Sequence, residues 1–301
     1  MLFRSAIRMR GATDAGGKLH VLHAETAVAS LIASITGKPV EGLEVHAVDS
    51  LIPPPPDVNF ISSPYTRIPN WYTGQVLKNT HVPVGFWRSV GGSQNGFALE
   101  SFLDELAHAA NKNPFDFRRA MTDRADVLAV LKLLEEKSGW NKPLPKGRGR
   151  GLALMENHAS LIGEVFEVTV NQRGALTVDR VIAVIDTHHV VNPKLVEAQV
   201  QGGIVFGMSA ALYGEITIKD GAVEQGNFDT YQMVRMADAP AITEVYFSLS
   251  GGVDKDGKPR WGGAGECAVA PVAPALANAI FAACGKRVRE LPLKNTKLTA
   301  A

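Results

Sequence analysis

Two apolar runs joined by a four-residue turn fix the centre of this chain as sheet. Ile162 to Val170 carries Val165, Phe166, Val168 and Val170, and Leu176 to Ile185 carries Val178, Val181, Ile182, Val184 and Ile185. Asn171-Gln172-Arg173-Gly174 between them is a hairpin-type turn. Shortly afterwards Asn192-Pro193 opens a helix, with asparagine as cap and proline at the first helical position. That helix contains Gly202, Gly203 and Gly207, each costing roughly 1 kcal/mol relative to alanine. Glycines at that cost imply something packed close to the helix backbone, either a neighbouring element or a ligand. Strand pairs interleaved with helices predict an α+β fold with mixed sheets and packed helices.

Other segments follow the same logic. From Gly96, apolar Ala98, Leu99, Phe102, Leu103, Leu106 and Ala107 recur at helical spacing against Glu100, Asp104 and Glu105. Asn113-Pro114 ends that helix and caps a short one over Phe115 to Met121, and Asp126 to Ser138 forms a third. Asn141 to Gly151, rich in proline, glycine and basic residues, is predicted to be a solvent-exposed crossing. Leu19 to Leu22 and Leu43 to Val48 have strand-like composition, and the run Pro53 to Pro56 favours extended polyproline backbone. The chain is expected to stay irregular through Tyr72 and Gly74. A hairpin around Lys219-Asp220-Gly221, a strand over Thr243 to Leu249 and a flexible loop over Gly251 to Gly257 complete the pattern. The expected division is 1–80, a strand region with the proline-rich connection; 81–150, a loop and helical segment; and 151–301, a C-terminal subdomain.

Bulk properties narrow the function classes. With 46% hydrophobic residues, 301 residues can bury one large core or two smaller ones. A formal charge of +1 makes no electrostatic case for nucleic acid or an anionic membrane. No apolar run is expected to reach transmembrane length. Two cysteines, Cys267 and Cys284, cannot by themselves supply a zinc or iron–sulfur site. The first ten residues hold no apolar run long enough for a secretory signal and pass directly into a strand-like stretch. The natural N-terminus is therefore expected to lie upstream, which leaves the compartment, cytoplasmic or periplasmic, open.

Three loop-to-helix junctions could carry chemistry. In Gly85 to Gln94, Arg88 and Gln94 flank the pair Gly91-Gly92 ahead of a helix, a set that suits a phosphate or polar heterocycle. Equally, Arg88 could pair with a local carboxylate while the glycines only shape the turn. In the second, the pair His188-His189 invites a metal, but neighbours in a strand point to opposite faces and no third ligand is evident, so ordinary loop histidines are expected. Gln199 lies one or two turns into the glycine-bearing helix. The third is Gly262-Gly263-Ala264-Gly265-Glu266-Cys267, a lone carboxylate closing a glycine-rich loop before a helix. Glu266 there is either a general base or a first-turn acid stabilising a helix N-terminus by about 0.3–1 kcal/mol. Cys267 as a nucleophile with a histidine base is a further option. The dinucleotide-like spacing of Gly263, Gly265 and Ala268 lacks the preceding buried strand.

Taken together the junctions resemble the molybdenum hydroxylases, the xanthine oxidase/aldehyde oxidoreductase superfamily, and within it the large (β) subunit of the isoquinoline 1-oxidoreductase type. The matching text is Gly85 to Asn95 with Glu100 to Ala107, Val190 to Pro193, Glu197 to Gly203, Ala210 to Glu215, Pro271 to Ile280 and Arg287 to Pro292, in family order over roughly residues 10–293. The resemblance implies the molybdenum-cofactor-binding domain of that fold. It implies Glu266 as the base deprotonating a metal-bound hydroxide, with Trp87, Arg88, Gly91, Gly92, Gln199 and Gly265 toward the cofactor and no protein ligand to the metal. The implied cofactor is molybdopterin–molybdenum in its cytosine dinucleotide form. The implied reaction is hydroxylation of an N-heterocycle or aldehyde with oxygen from water. Electrons would leave through [2Fe–2S] clusters on a small partner subunit to an external acceptor. The family's large subunit is more than twice this long, and its upstream glycine-rich pterin segment has no match here. The resemblance therefore implies the C-terminal part of that subunit, needing the upstream part for activity, or else a non-catalytic remnant or assembly subunit of the same fold. Cys267 and Thr187 to His189 depart from the commonest family text.

Overall fold

The computed structural model describes residues 5–53, 62–254 and 256–299, so the readings made of residues 1–4 and of Pro54 to Pro56 lie outside the described residues. The predicted hairpin forms as β5 (Ser160–Val170) and β6 (Leu176–Asp186), antiparallel, with Val165 opposite Ile182. Asn171 Oδ1 accepts hydrogen bonds from the Arg173 and Ala175 amides, and Gly174 takes φ +78°, which is why glycine closes the turn. β4 (Arg148–Asn157) and β9 (Ile242–Phe247) complete a four-stranded sheet in the order β4-β5-β6-β9, with β9 parallel to β6. A second sheet holds β1 (Ser5–Thr13), β2 (Leu19–Val28) and β3 (Asn70–Leu77) in that order, β3 parallel to β2. β7 (Ile218–Lys219) and β8 (Ala222–Val223) form the small hairpin expected around Asp220.

Helices cover the faces of the main sheet. α7 (Val272–Cys284) packs on one face among Met155, Ile162, Phe166 and Ile185. α3 (Gly91–Ala109) and α5 (Ala125–Ser138) contribute Leu99, Leu103, Val130 and Leu134 to a second core with Leu154, Val165 and Val184. α4 (Pro114–Arg119) is capped by Asn113, whose side chain accepts from the Phe115 amide. α6 (Pro193–Tyr213) is capped by Asn192 accepting from Leu195. The glycines of α6 have two different surroundings. A Cβ on Gly203 would sit 3.0 Å from that of Ala268, and one on Gly207 would sit 2.8 Å from Val272, whereas Gly202 faces open space.

Four local expectations are corrected. Leu43 to Val48 does not extend. Its end forms a one-turn helix, α2 (Val45–Val48), following α1 (Leu31–Thr36), because only Ala47 and Val48 are taken into the core. The segment through Tyr72 and Gly74 is not irregular but is β3, its conformation imposed by pairing with β2. The exposed crossing ends early, since Arg148 to Gly151 begins β4. There, a Cβ on Gly151 would lie 2.1 Å from Ala279 N of α7, while Arg148 and Arg150 turn the other way onto Glu167. α3 starts at Gly91 rather than Gly96. Pro193–Tyr213 and Cys267–Cys284 are also long and apolar enough to cross a membrane by length and composition, against expectation; the second is mostly buried in the core here.

Candidate active site

The three junctions converge. Arg88 donates from Nε to the Gly265 carbonyl at 2.6 Å and from Nη2 to Gln199 Oε1 at 3.2 Å. The next residue, Ser89, is fully buried and donates its amide to Glu266 Oε2 at 2.8 Å and its hydroxyl to the Glu266 carbonyl at 2.9 Å. Asn157, at the end of β4, donates to Ser89 Oγ at 2.8 Å. Residues 88–89, α6, the tip of the β4–β5 hairpin and the 262–266 loop are thus tied into one unit.

Its backbone explains the precision. Ser89 and Val90 take φ of +80° and +46°, and His158 and Ala159 at the hairpin tip take +52° and +57°. Ser89 and Val90, non-glycine residues with positive φ beside the Glu266 carboxylate, mark strain of the kind stored at functional sites, whereas positive φ at both His158 and Ala159 is the usual geometry of a two-residue hairpin turn. Gly262 is glycine because a Cβ would fall 2.2 Å from Ser160 Oγ, whose hydroxyl donates to the Gly263 carbonyl at 2.7 Å. Gly265 has open space where its Cβ would be.

A cleft of about 450 Å³ opens here, lined by His46, Phe86, Trp87, Arg88, Val90, His158 and Glu266. Glu266 heads the 3₁₀ turn Cys267–Val269 without its side chain capping it, so the carboxylate serves the Ser89 amide rather than its own helix. His158 Nε2 lies 4.0 Å from Glu266 Oε2. Trp87 stacks on Phe206 of α6, centroids 5.1 Å apart, and the Arg88 guanidinium lies 5.5 Å from the same ring.

Of the residues singled out from sequence, Trp87, Arg88, Gln199, Gly265 and Glu266 come together. Gly91 and Gly92 do not line the cleft: both are buried in the first turn of α3, and a Cβ on Gly91 would fall 2.1 Å from the His46 carbonyl oxygen. Gln94 is one turn inside α3. His188 and His189 point to separate partners, Ser250 Oγ at 2.8 Å and the Gly252 carbonyl at 3.0 Å. Cys267 is fully buried, and burial pushes its thiol up to about 12, which removes it as a nucleophile at neutral pH. Sequence reasoning missed Ser89, Asn157, His158, His46 and Phe206. Ser89 stood inside the quoted motif; the others carry no local signal.

The cleft fits a polar, planar cofactor in part. Arg88 supplies a guanidinium, and its bond to Gln199 Oε1 leaves the amide nitrogen of that side chain as a donor. Gly265, whose carbonyl Arg88 holds, leaves backbone open to close approach. Among the described residues no group of three or more His, Cys, Asp or Glu is placed to hold a metal.

Residues 106–240 match the family described as molybdopterin cofactor-binding domain. The chain is 31% identical over 71% of its length to the beta subunit of isoquinoline 1-oxidoreductase from Brevundimonas diminuta, and 30% identical over 73% to a nicotinate dehydrogenase subunit from Pseudomonas putida. It spans 27% and 20% of the lengths of those two relatives. The fold superposes on quinoline 2-oxidoreductase from Pseudomonas putida 86 with a TM-score of 0.76 at 13% identity, over 96% of this chain and 61% of that one. It superposes on aldehyde oxidoreductase from Desulfovibrio desulfuricans with a TM-score of 0.73 at 16% identity, over 99% and 48%. By sequence match and by fold, the chain belongs to the molybdenum hydroxylase family, in the part of the large subunit that binds molybdopterin.

Proposed function

We propose that this chain carries the general base and one side of the cofactor cradle of an enzyme that hydroxylates an N-heterocycle or an aldehyde. The observation that carries this is the setting of Glu266: Oε2 is held by the Ser89 amide, the side chain faces the cleft, and the Arg88–Gln199 pair lies beside it. Trp87, Arg88, Gln199 and Gly265 would hold the pterin, in its cytosine dinucleotide form. When bound, molybdopterin–molybdenum supplies a two-electron acceptor beside the substrate carbon.

The protein's own part is positional and protonic. The Ser89 amide fixes one carboxylate oxygen, so Oε1 of Glu266 is the atom that takes the proton from the water supplying the product oxygen. Arg88 locks the loop that carries Glu266 through the Gly265 carbonyl, and so ties the base to the cofactor side of the cleft. The two electrons removed from substrate would pass to [2Fe–2S] clusters on a small partner subunit and then to an external acceptor. The upstream part of the large subunit would supply the rest of the cradle.

The test is Glu266→Gln in the assembled enzyme. Molybdenum content should be unchanged while kcat falls by about 10²-fold or more, the usual contribution of a positioned base. Undiminished turnover at full metal loading would remove Glu266 from that role. A wild-type assembly that takes up no molybdenum would point instead to a non-catalytic remnant.

A further inference from the structure

His46 lines the same cleft as Glu266 and has no part in the chemistry above. It reaches the cleft from α2, and its ring meets Phe86 edge-on, centroids 5.5 Å apart and planes at 88°. Behind it lies Asp49, fully buried, with Oδ2 3.5 Å from His46 Nδ1. Gly91 closes the space on that side, since a Cβ there would fall 2.8 Å from Asp49 Oδ2. Neither Asp49 oxygen has a hydrogen-bond donor at normal geometry among the described residues. The Asp49 carboxyl thus faces His46, which is at ion-pair distance whenever its ring is protonated, with the Gly91 amide on its other side. Burial pushes the Asp49 carboxyl up, and the neighbouring Asp49 raises His46 above the ordinary histidine range.

Glu44, the residue preceding α2, adds to the upward shift, but its oxygens accept from Ser30 Oγ and from the Leu31 and Ile32 amides. Arg88, His158 and Glu266 share the cleft lining with His46, and Phe86 and Trp87 supply flat apolar walls.

We propose that His46, braced by Asp49, is a substrate-binding residue that donates a hydrogen bond to an acceptor atom of a planar aromatic substrate. This rests on the hydroxylase reading of the cleft and specifies its substrate class: an aromatic ring bearing a ring nitrogen or carbonyl oxygen, bound so that the carbon to be oxidised lies toward Glu266. A donor on that heteroatom also draws electron density from the ring, which favours attack on carbon.

The test compares isoquinoline with naphthalene, its counterpart without an acceptor, as ligands of the assembled, molybdenum-loaded enzyme. Dissociation constants come from tryptophan fluorescence quenching between about pH 5 and pH 9, the range over which a histidine titrates. Isoquinoline should bind about tenfold or more tightly than naphthalene, as one charge-assisted hydrogen bond allows, and the preference should shrink as pH rises through the His46 titration. His46→Phe should abolish the preference, and His46→Gln should keep part of it without the pH dependence. Asp49→Asn should move the loss to lower pH. If that variant fails to assemble, the two His46 variants decide the matter. No preference in the wild type, or a preference surviving His46→Phe, overturns the proposal. Glu266→Gln separates the two ideas: it should bind isoquinoline as the wild type does while losing turnover. If it turned over normally while His46→Phe still lost the preference, the base assignment would fall and the binding role would stand.

Discussion

Arg118→Met is the substitution whose cost can best be worked out from the structure. Arg118, Glu100 and Tyr65 are all fully buried. Arg118 Nε donates to Glu100 Oε2 at 2.9 Å, the Tyr65 hydroxyl donates to Oε1 at 2.7 Å, and the Leu154 amide donates to Oε2 at 2.9 Å. Arg118 also donates to the carbonyls of Glu100 at 3.1 Å and Pro114 at 3.2 Å. The cluster joins α3, α4, β4 and the segment through Tyr65, and so seats the helix whose first turn follows Ser89. Methionine fills similar volume but leaves a buried carboxylate without its cation, which costs about 3–5 kcal/mol. For a chain of 301 residues, an unfolding entropy of roughly 2 cal/mol/K per residue turns that into a drop in Tm of about 5–8 °C. Glu100→Gln added to Arg118→Met removes the orphaned charge, its one carbonyl oxygen accepting from the Leu154 amide while its amide nitrogen donates to the Tyr65 hydroxyl, and should recover about 2 kcal/mol. Thermal and urea unfolding followed by far-UV circular dichroism measure both. A loss below about 1 kcal/mol for Arg118→Met, or a double variant no more stable than the single one, would refute the claim that the carboxylate depends on its cation.

Other consequences follow from single groups. Ser89→Ala removes the hydroxyl linking Asn157 to the Glu266 backbone; molybdenum content of the assembled enzyme should hold while kcat falls by about tenfold, as expected when a base loses its exact placement. Glu164 is fully buried on β5 with no hydrogen-bond donor among the described residues, and burial holds its carboxyl well above the usual range. Its contribution to stability is therefore full below the ordinary carboxylate range and is lost as pH rises, so Glu164→Gln should raise Tm at about pH 7–8 and leave it unchanged near pH 4. Cys267, raised from 9.0 to about 12 by burial, should resist thiol reagents at pH 8 until the chain is unfolded. The same shift makes stability fall between pH 9 and about 12, where the thiolate forms only in the unfolded chain, and Cys267→Ala should flatten that part of the profile.

What could be read from the residues depended on how local the cause was. The turn at Gly174 and the caps at Asn113 and Asn192 each depend on a few neighbouring residues, and all appear as expected. Segments whose conformation depends on a distant partner were misread. Gly149 and Gly151 looked like loop residues, yet they are the inward positions of a strand whose alternation is hidden because α7 leaves no room for side chains there. At the site, Arg88, Gln199 and Glu266 were legible because motif text surrounds each of them. His46, Asn157 and Phe206 were not, since an ordinary residue enters a cleft only through where its backbone is carried.

The class of the fold, the hairpin at the centre of the sheet, the capped helices and the family to which the motifs point were all legible in the residues, because periodicity, turn chemistry and motif spacing are short-range properties. Only the folded chain brings the Ser89 amide to the Glu266 carboxylate and stacks Trp87 on Phe206 of α6. The first of those contacts joins residues 177 positions apart, and the second joins a loop to a helix far along the chain. They exist because packing α7 and α6 against the sheet brings three loops to one place, and no pattern within any one of those loops encodes that meeting.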